Sequence, residues 1–256
     1  MSILNRDGVE IYYEVHGSGP ALLLTHGYGS SSHMWAGQVA PFSRHFKLIA
    51  WDMRGHGRTS SPDDPSLYSE AATVADMAAL LDAVGVEAAI VGGLSLGGYM
   101  SLGFHLTHPE RTRALLIIDT GPGFRNDEAR EGWNVRARMT GDKWESDGLA
   151  RLAKGSLEQR EAPHTSAKGL ALAARGMLAQ RDARVINSLP EIHVPSLVLV
   201  GAQDEPFLKA GDYMAAKIPG AKKVVIEDAG HAANIDQPEK FNEAVLSFLR
   251  DAGFAT

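Results

Sequence analysis

The chain of 256 residues contains no cysteine, which removes disulfides, thiolate metal centres and a cysteine nucleophile from consideration. It also lacks an apolar run long enough to span a bilayer, and its opening stretch MSILNRDGVEIYYE reaches Asn5, Arg6 and Asp7 before a secretory core can develop. A cytoplasmic protein is expected. Blocks of one charge are missing as well: acids and bases are interspersed around a formal net charge of -6, which leaves no electrostatic footprint for nucleic acid or an anionic membrane. Low-complexity tracts and internal repeats are absent. What is present, 44% apolar and 22% charged residues, is an ordinary globular composition, long enough for one large domain acting on small molecules.

Asn5-Arg6-Asp7-Gly8 lies between two short apolar stretches and ends in the Asp-Gly pair of tight turns, so residues 2–16 are predicted to form an antiparallel hairpin. After it the pattern changes. Continuous apolar runs occur at 21–27 (ALLLTHG), 47–55 (KLIAWDMRG), 88–95 (AAIVGGLS), 114–121 (ALLIIDTG), 196–204 (SLVLVGAQD) and 222–230 (KKVVIEDAG). Such runs fit strands buried on both faces, as in a parallel sheet covered by helices. Helical spacing falls between them at 71–84, 98–107, 207–217 and 238–250, the last opening with Pro238. This alternation predicts a doubly wound, mostly parallel α/β sheet, with ligands at the carboxyl ends of its strands. From Pro122 to His193 no strand-like run occurs and the composition is helical. The expected division is a core of 1–121 and 196–256 with a helical cap, 122–195, over the ligand edge.

Gly93-Leu94-Ser95-Leu96-Gly97 matches G-x-S-x-G where a strand ends and a helix begins, the context in which a strained turn lifts a serine above the sheet. A hydroxyl is a poor nucleophile near neutral pH, so Ser95 needs a base for its proton and donors for the oxyanion. Leu24-Thr25-His26-Gly27-Tyr28-Gly29, at another strand end, offers the Tyr28 N–H, with the Leu96 N–H as second donor. Among ten histidines, His231 in Asp228-Ala229-Gly230-His231-Ala232 follows the last strand and is the expected base. His26 and His56 are expected to make structural hydrogen bonds, and Asp52-Met53-Arg54-Gly55-His56-Gly57 to tie its loop to its neighbours. Asp204, on a loop beyond the Gly201 turn, is the preferred partner acid, and Asp119 at the end of ALLIID is its competitor. The order serine, acid, histidine is that of the hydrolase elbow motif.

With HGYG, DMRGHG, GLSLGG, GAQDEP and DAGHAANIDQPEKF in this order, the chain resembles the α/β-hydrolase superfamily over nearly its whole length. The resemblance implies eight strands, a helical cap after the sixth, a Ser95, His231 and Asp204 triad, and an oxyanion hole at Tyr28 and Leu96. Serine at the elbow separates it from dehalogenase and epoxide hydrolase branches, which need a carboxylate there. MWAGQVAPFSRHF and LLDAVGVEAAIVGGLSLGG are similar to the group of small esterases and 3-oxoadipate enol-lactonases. The implied activity is hydrolysis of a small carboxylic ester or lactone through an acyl-enzyme, with no metal or organic cofactor. Met34, Trp35, Tyr99 and Phe124, with Tyr28, are expected around the acyl group. A carbon–carbon bond hydrolase or cofactor-free perhydrolase on the same triad, and a ligand receptor of this fold, are the alternatives.

Overall fold

The hairpin forms where the Asp-Gly pair falls: β1 (Ser2–Arg6) and β2 (Val9–His16) pair antiparallel about Asp7 and Gly8. Both turn residues have positive φ, 54° and 77°, as a type I′ turn demands. The computed structural model describes residues 2–254. It continues through β3 (Ala21–Thr25), α1 (Ala36–Ser43), β4 (Lys47–Trp51), α2 (Glu70–Ala83), β5 (Ala89–Leu94), α3 (Leu96–Thr107) and β6 (Thr112–Ile118). An insert of helices follows: α4 (Asp127–Asp147), α5 (Leu157–Arg160), α6 (Ala167–Ala173) and α7 (Arg184–Ser188). β7 (Ser196–Gly201), α8 (Glu205–Lys217), β8 (Lys222–Ile226), α9 (Ala233–Asp236) and α10 (Pro238–Asp251) complete the chain. No helix among the described residues is long and apolar enough to cross a membrane.

The eight strands form one sheet in the order β1-β2-β4-β3-β5-β6-β7-β8. β2 is antiparallel to both its neighbours, and every later pair is parallel. The chain therefore moves outward from β3 to β4 and then crosses back to β5 on the other side. The loops after β3 and β5 diverge at this reversal, which is where an open α/β sheet forms its crevice.

Every residue of β3, β5 and β7 is buried, because alternate side chains feed two separate cores. Leu23, Val91, Leu115 and Val198 pack with Met77 of α2, Met100 of α3 and Met214 of α8. Leu22, Leu24, Ile90 and Leu199 pack on the opposite face with Phe42 of α1 and Phe241 and Val245 of α10. The unbroken apolar runs in the sequence are the consequence. α1 was not marked by periodicity, since it contains Gly37 and Pro41; burial of Phe42 and Gln38 holds it in place. α3 begins at Leu96, two residues before the spacing suggests, because Gly97 and Gly98 form its first turn.

In the insert, α4 buries only Ala137, Gly141 and Trp144, four and three positions apart and so on one stripe. Arg175 fastens that helix by ion pairs to Asp142 and Glu145, both at 2.6 Å.

The loop after β4 is fixed by charge. Arg54, 1% exposed, donates from Nε and Nη2 to the two carboxylate oxygens of buried Asp76 at 2.6 and 2.7 Å. Arg6 adds a third bond to Asp76 at 2.6 Å, so DMRGHG does tie its loop to neighbouring elements. Removing one partner of a buried pair strands the other charge and costs about 3–5 kcal/mol. Asp76→Ala is accordingly expected to lose that much stability in urea unfolding; a loss below about 1 kcal/mol, the range of an exposed pair, would contradict the role given to it.

Candidate active site

Ser95 occupies the single step between β5 and α3 with φ 55° and ψ −116°. An L side chain held there costs on the order of 1–3 kcal/mol and persists only where its surroundings enforce it. Those surroundings are specific. The Ser95 N–H donates to Ile118 O at 2.9 Å, and its carbonyl accepts from Thr120 Oγ1 at 2.7 Å and Tyr99 N–H at 3.1 Å. The turn also presses the start of α3 against the end of β3. A Cβ at Gly97 would lie 2.1 Å from Thr25 O, and one at Gly93 would lie 2.4 Å from the Gly97 carbonyl carbon, so only glycine fits at either position.

Ser95 is partly exposed and lines a cavity of about 270 Å³ with Tyr99, Phe124, Trp133, Leu178 and Phe207 among its walls. Larger crevices, of about 310 Å³ beside Trp144 and Arg151 and about 450 Å³ along β8, contain none of these groups.

The ends of β7 and β8 contribute an acid and an imidazole. Asp204 lies three residues past β7, 6% exposed, and its Oδ2 accepts from His231 Nδ1 at 2.7 Å. A proton on Nδ1 leaves Nε2 as the acceptor. Burial lowers the pKa of His231, but the hydrogen bond and charge of Asp204 outweigh it and hold the imidazole above its ordinary 6.5. Phe207 stacks on the ring with centroids 5.1 Å apart.

Asp119 sits at the end of β6, fully buried with φ 44°. The bond to His231 belongs to Asp204; Asp119 Oδ1 instead accepts from the Gly201 N–H at 2.7 Å, bracing the turn that precedes Asp204. Burial pushes its carboxyl up to about 8, against the opposing pull of that N–H.

Tyr28 follows β3, the strand beside β5, and Leu96 is the first residue of α3. The Leu96 N–H has no carbonyl to meet within its helix, and a helix N-terminus favours developing negative charge. The loop after β3 passes close to Ser95, since a Cβ on Gly27 would stand 3.5 Å from Ser95 Cβ. The Tyr28 side chain turns into the insert, donating to Leu170 O at 2.7 Å.

His26 and His56 are fully buried at 0% and 1% exposure. His26 donates from Nδ1 to Gly27 O at 2.7 Å and accepts the Met53 N–H on Nε2 at 2.9 Å, while His56 Nδ1 meets Arg54 O at 3.0 Å. Burial lowers both pKa values, that of His26 to about 4. Both hydrogen-bond with the loops that surround the site.

Of the four residues expected around the acyl group, Tyr99 and Phe124 line the cavity and two do not. Met34 and Trp35 are 4% and 0% exposed and belong to the core under α1 and α10. Ser32–Trp35 forms a 3₁₀ turn, capped by the Ser31 side chain on the His33 N–H, that sends them beneath the sheet edge. Three contributors were not singled out from the sequence. Thr120 was legible only as a polar residue at a strand end, and Phe207 only as the third residue after Asp204. Trp133, whose Nε1 donates to Leu178 O at 2.8 Å, depends on how the insert folds over the sheet. Among the described residues no group of three or more His, Asp or Glu side chains could hold a metal ion.

Known proteins share this design. The chain is similar to 3-oxoadipate enol-lactonase 2 of Acinetobacter baylyi, with 28% identity over 96% of both chains. The solved enol-lactonase of Burkholderia xenovorans LB400 superposes with a TM-score of 0.80 at 27% identity, covering 97% of this chain and 100% of that one. A thermophilic esterase from Thermogutta terrifontis gives a TM-score of 0.80 at 29% identity over 95% and 94% of the two chains. The model of the alpha/beta hydrolase family matches residues 22–244; with its eight-stranded sheet, helical insert after β6 and elbow serine, this chain belongs to that family.

Proposed function

We propose that the chain is a serine hydrolase that cleaves small carboxylic esters or lactones through an acyl-enzyme. The observation that carries this reading is the 2.7 Å bond between His231 Nδ1 and Asp204 at the same sheet edge as a strained, partly exposed Ser95. Ser95 Oγ attacks the substrate carbonyl while His231 Nε2 takes its proton; Asp204 keeps the imidazole in the required tautomer and stabilises the imidazolium. The N–H groups of Tyr28 and Leu96 receive the oxyanion, each such donor being worth about 2.7–4 kcal/mol in the transition state. His231 then protonates the leaving oxygen and draws a proton from water for deacylation. Tyr99, Phe124, Trp133, Leu178 and Phe207 favour a modest acyl group with an apolar body, Arg136 and Gln180 also line the cavity, and its volume of about 270 Å³ leaves little room for a long chain. The enol-lactonase and esterase names of its relatives support the same class of bond.

A fluorophosphonate probe is expected to label the protein at Ser95, and Ser95→Ala to lose both the label and the cleavage of short p-nitrophenyl esters. An intact protein that neither labels nor cleaves them would leave a receptor rather than an enzyme. Asp204→Asn is expected to lower turnover by about 10⁴-fold and Asp119→Asn to be mild; the reverse order would move the acid to Asp119.

The pH dependence has a definite sign. The base works neutral, and its pKa lies above 6.5 in the folded protein, so kcat/KM is expected to fall as pH drops through that raised value. An acid limb well below 6.5 would contradict the coupling of His231 to Asp204.

A further inference from the structure

The loop from Gly27 to Ser30 has glycine at its first and third positions, with Gly29 at φ 74°. Such a segment has little orientation of its own, so its N–H groups must be aimed from outside. Two histidines hold its carbonyls. From the core side, His26 Nδ1 donates to Gly27 O at 2.7 Å while Nε2 accepts the Met53 N–H at 2.9 Å. From the insert, His164 Nε2 donates to Gly29 O at 2.8 Å while Nδ1 accepts the Gly57 N–H at 2.9 Å. The pattern is the same twice over: one neutral imidazole bridges the loop after β3 and the loop after β4.

His164 is the residue through which the insert grips both loops. Around it, Tyr28 Oη donates to Leu170 O at 2.7 Å, and Ser30 Oγ donates to Glu158 O at 3.5 Å. The side chain of Gln159 covers Gly29, with its Nε2 only 3.1 Å from where a Cβ would stand. The far end of the bridge is firm, because Asp52 Oδ2 accepts the Arg58 N–H at 2.8 Å next to Gly57. Both ring nitrogens are used, which fixes the tautomer and requires a neutral ring; burial holds the His164 pKa below the usual imidazole range. Its edge packs against His56, with centroids 5.8 Å apart.

We propose that His164 is a positioning residue that clamps the Gly27–Ser30 loop from the insert, so that seating of the insert and aiming of the Tyr28 N–H at the Ser95-bound carbonyl become one event. The catalytic part of this statement rests on the hydrolase function proposed above; the clamp itself does not. A histidine in the insert, some 135 positions from the carbonyl it holds, thereby acts on an oxyanion donor it does not touch. The insert would then serve as a switch on catalysis as well as a wall of the pocket.

The test uses the full chain and three variants, His164→Ala, His164→Gln and His164→Asn. A glutamine amide nitrogen can take the place of Nε2 and keep the bond to Gly29 O; asparagine reaches only the Gly57 side. Amide hydrogen exchange is read over residues 27–30, with kcat and KM for p-nitrophenyl acetate. In His164→Ala the loop is expected to exchange faster and kcat to fall roughly tenfold to a hundredfold with KM little changed. His164→Gln should recover most of both quantities and His164→Asn should not. If the alanine variant does not fold, the glutamine and asparagine pair decides. Unchanged loop exchange and kcat in His164→Ala, or equal behaviour of the glutamine and asparagine variants, would overturn the clamp. An inactive wild type would count against the hydrolase function alone, since loop exchange still reports on His164.

Discussion

Backbone contact at the carboxyl ends of β3 and β5 governs the whole site. Gly93 and Gly97 let the first turn of α3 lie against Thr25 more closely than any side chain would permit. That approach is what forces Ser95 to positive φ and leaves its hydroxyl accessible above the sheet. It also brings the loop after β3 beside the serine and directs the free N–H end of α3 at the same point. The topology makes the approach useful, because β3 is where the chain reverses its progress across the sheet and a crevice opens.

Electrostatics then separates groups that share one small volume. Asp119 and Asp204 both lie near His231, and two adjacent buried carboxylates do not ionise equally. Burial pushes the Asp119 carboxyl up, and the hydrogen bond to the imidazole is made by Asp204. Nearby, His26, His56 and His164 are all lowered by burial and serve as neutral hydrogen-bonding struts. One histidine of the site has its pKa raised, and it is the one paired with an acid. The surroundings thus set one histidine apart from the other three, which the loops hold as neutral hydrogen-bonding groups.

The sheet was legible because burial on both faces leaves a composition signature. Runs such as ALLLT and SLVLVG have nowhere to expose a polar residue, and their polar ends mark the edge where loops gather. Ser95, Asp204 and His231 were legible for the same reason: each stands just past a strand, and their spacing survives as order along the chain. Met34 and Trp35 misled because nearness in sequence to the HGYG loop is not nearness in space; a single 3₁₀ turn carries them into the opposite core. Trp133, Leu178 and His164 were illegible for a different reason. They belong to the insert, whose helices are positioned by tertiary contacts such as the ion pairs of Arg175 and by the cap-to-loop hydrogen bonds, none of which leaves a periodic trace.

The proposed chemistry turns on an acyl-enzyme at Ser95. Mass spectrometry of protein quenched in acid during turnover of p-nitrophenyl acetate observes it directly. An acetyl group on the peptide that contains Ser95, formed and lost at rates that match turnover, is the expected result. Steady turnover with that peptide unmodified, or with the acetyl group on another residue, would contradict the assignment of Ser95 as nucleophile.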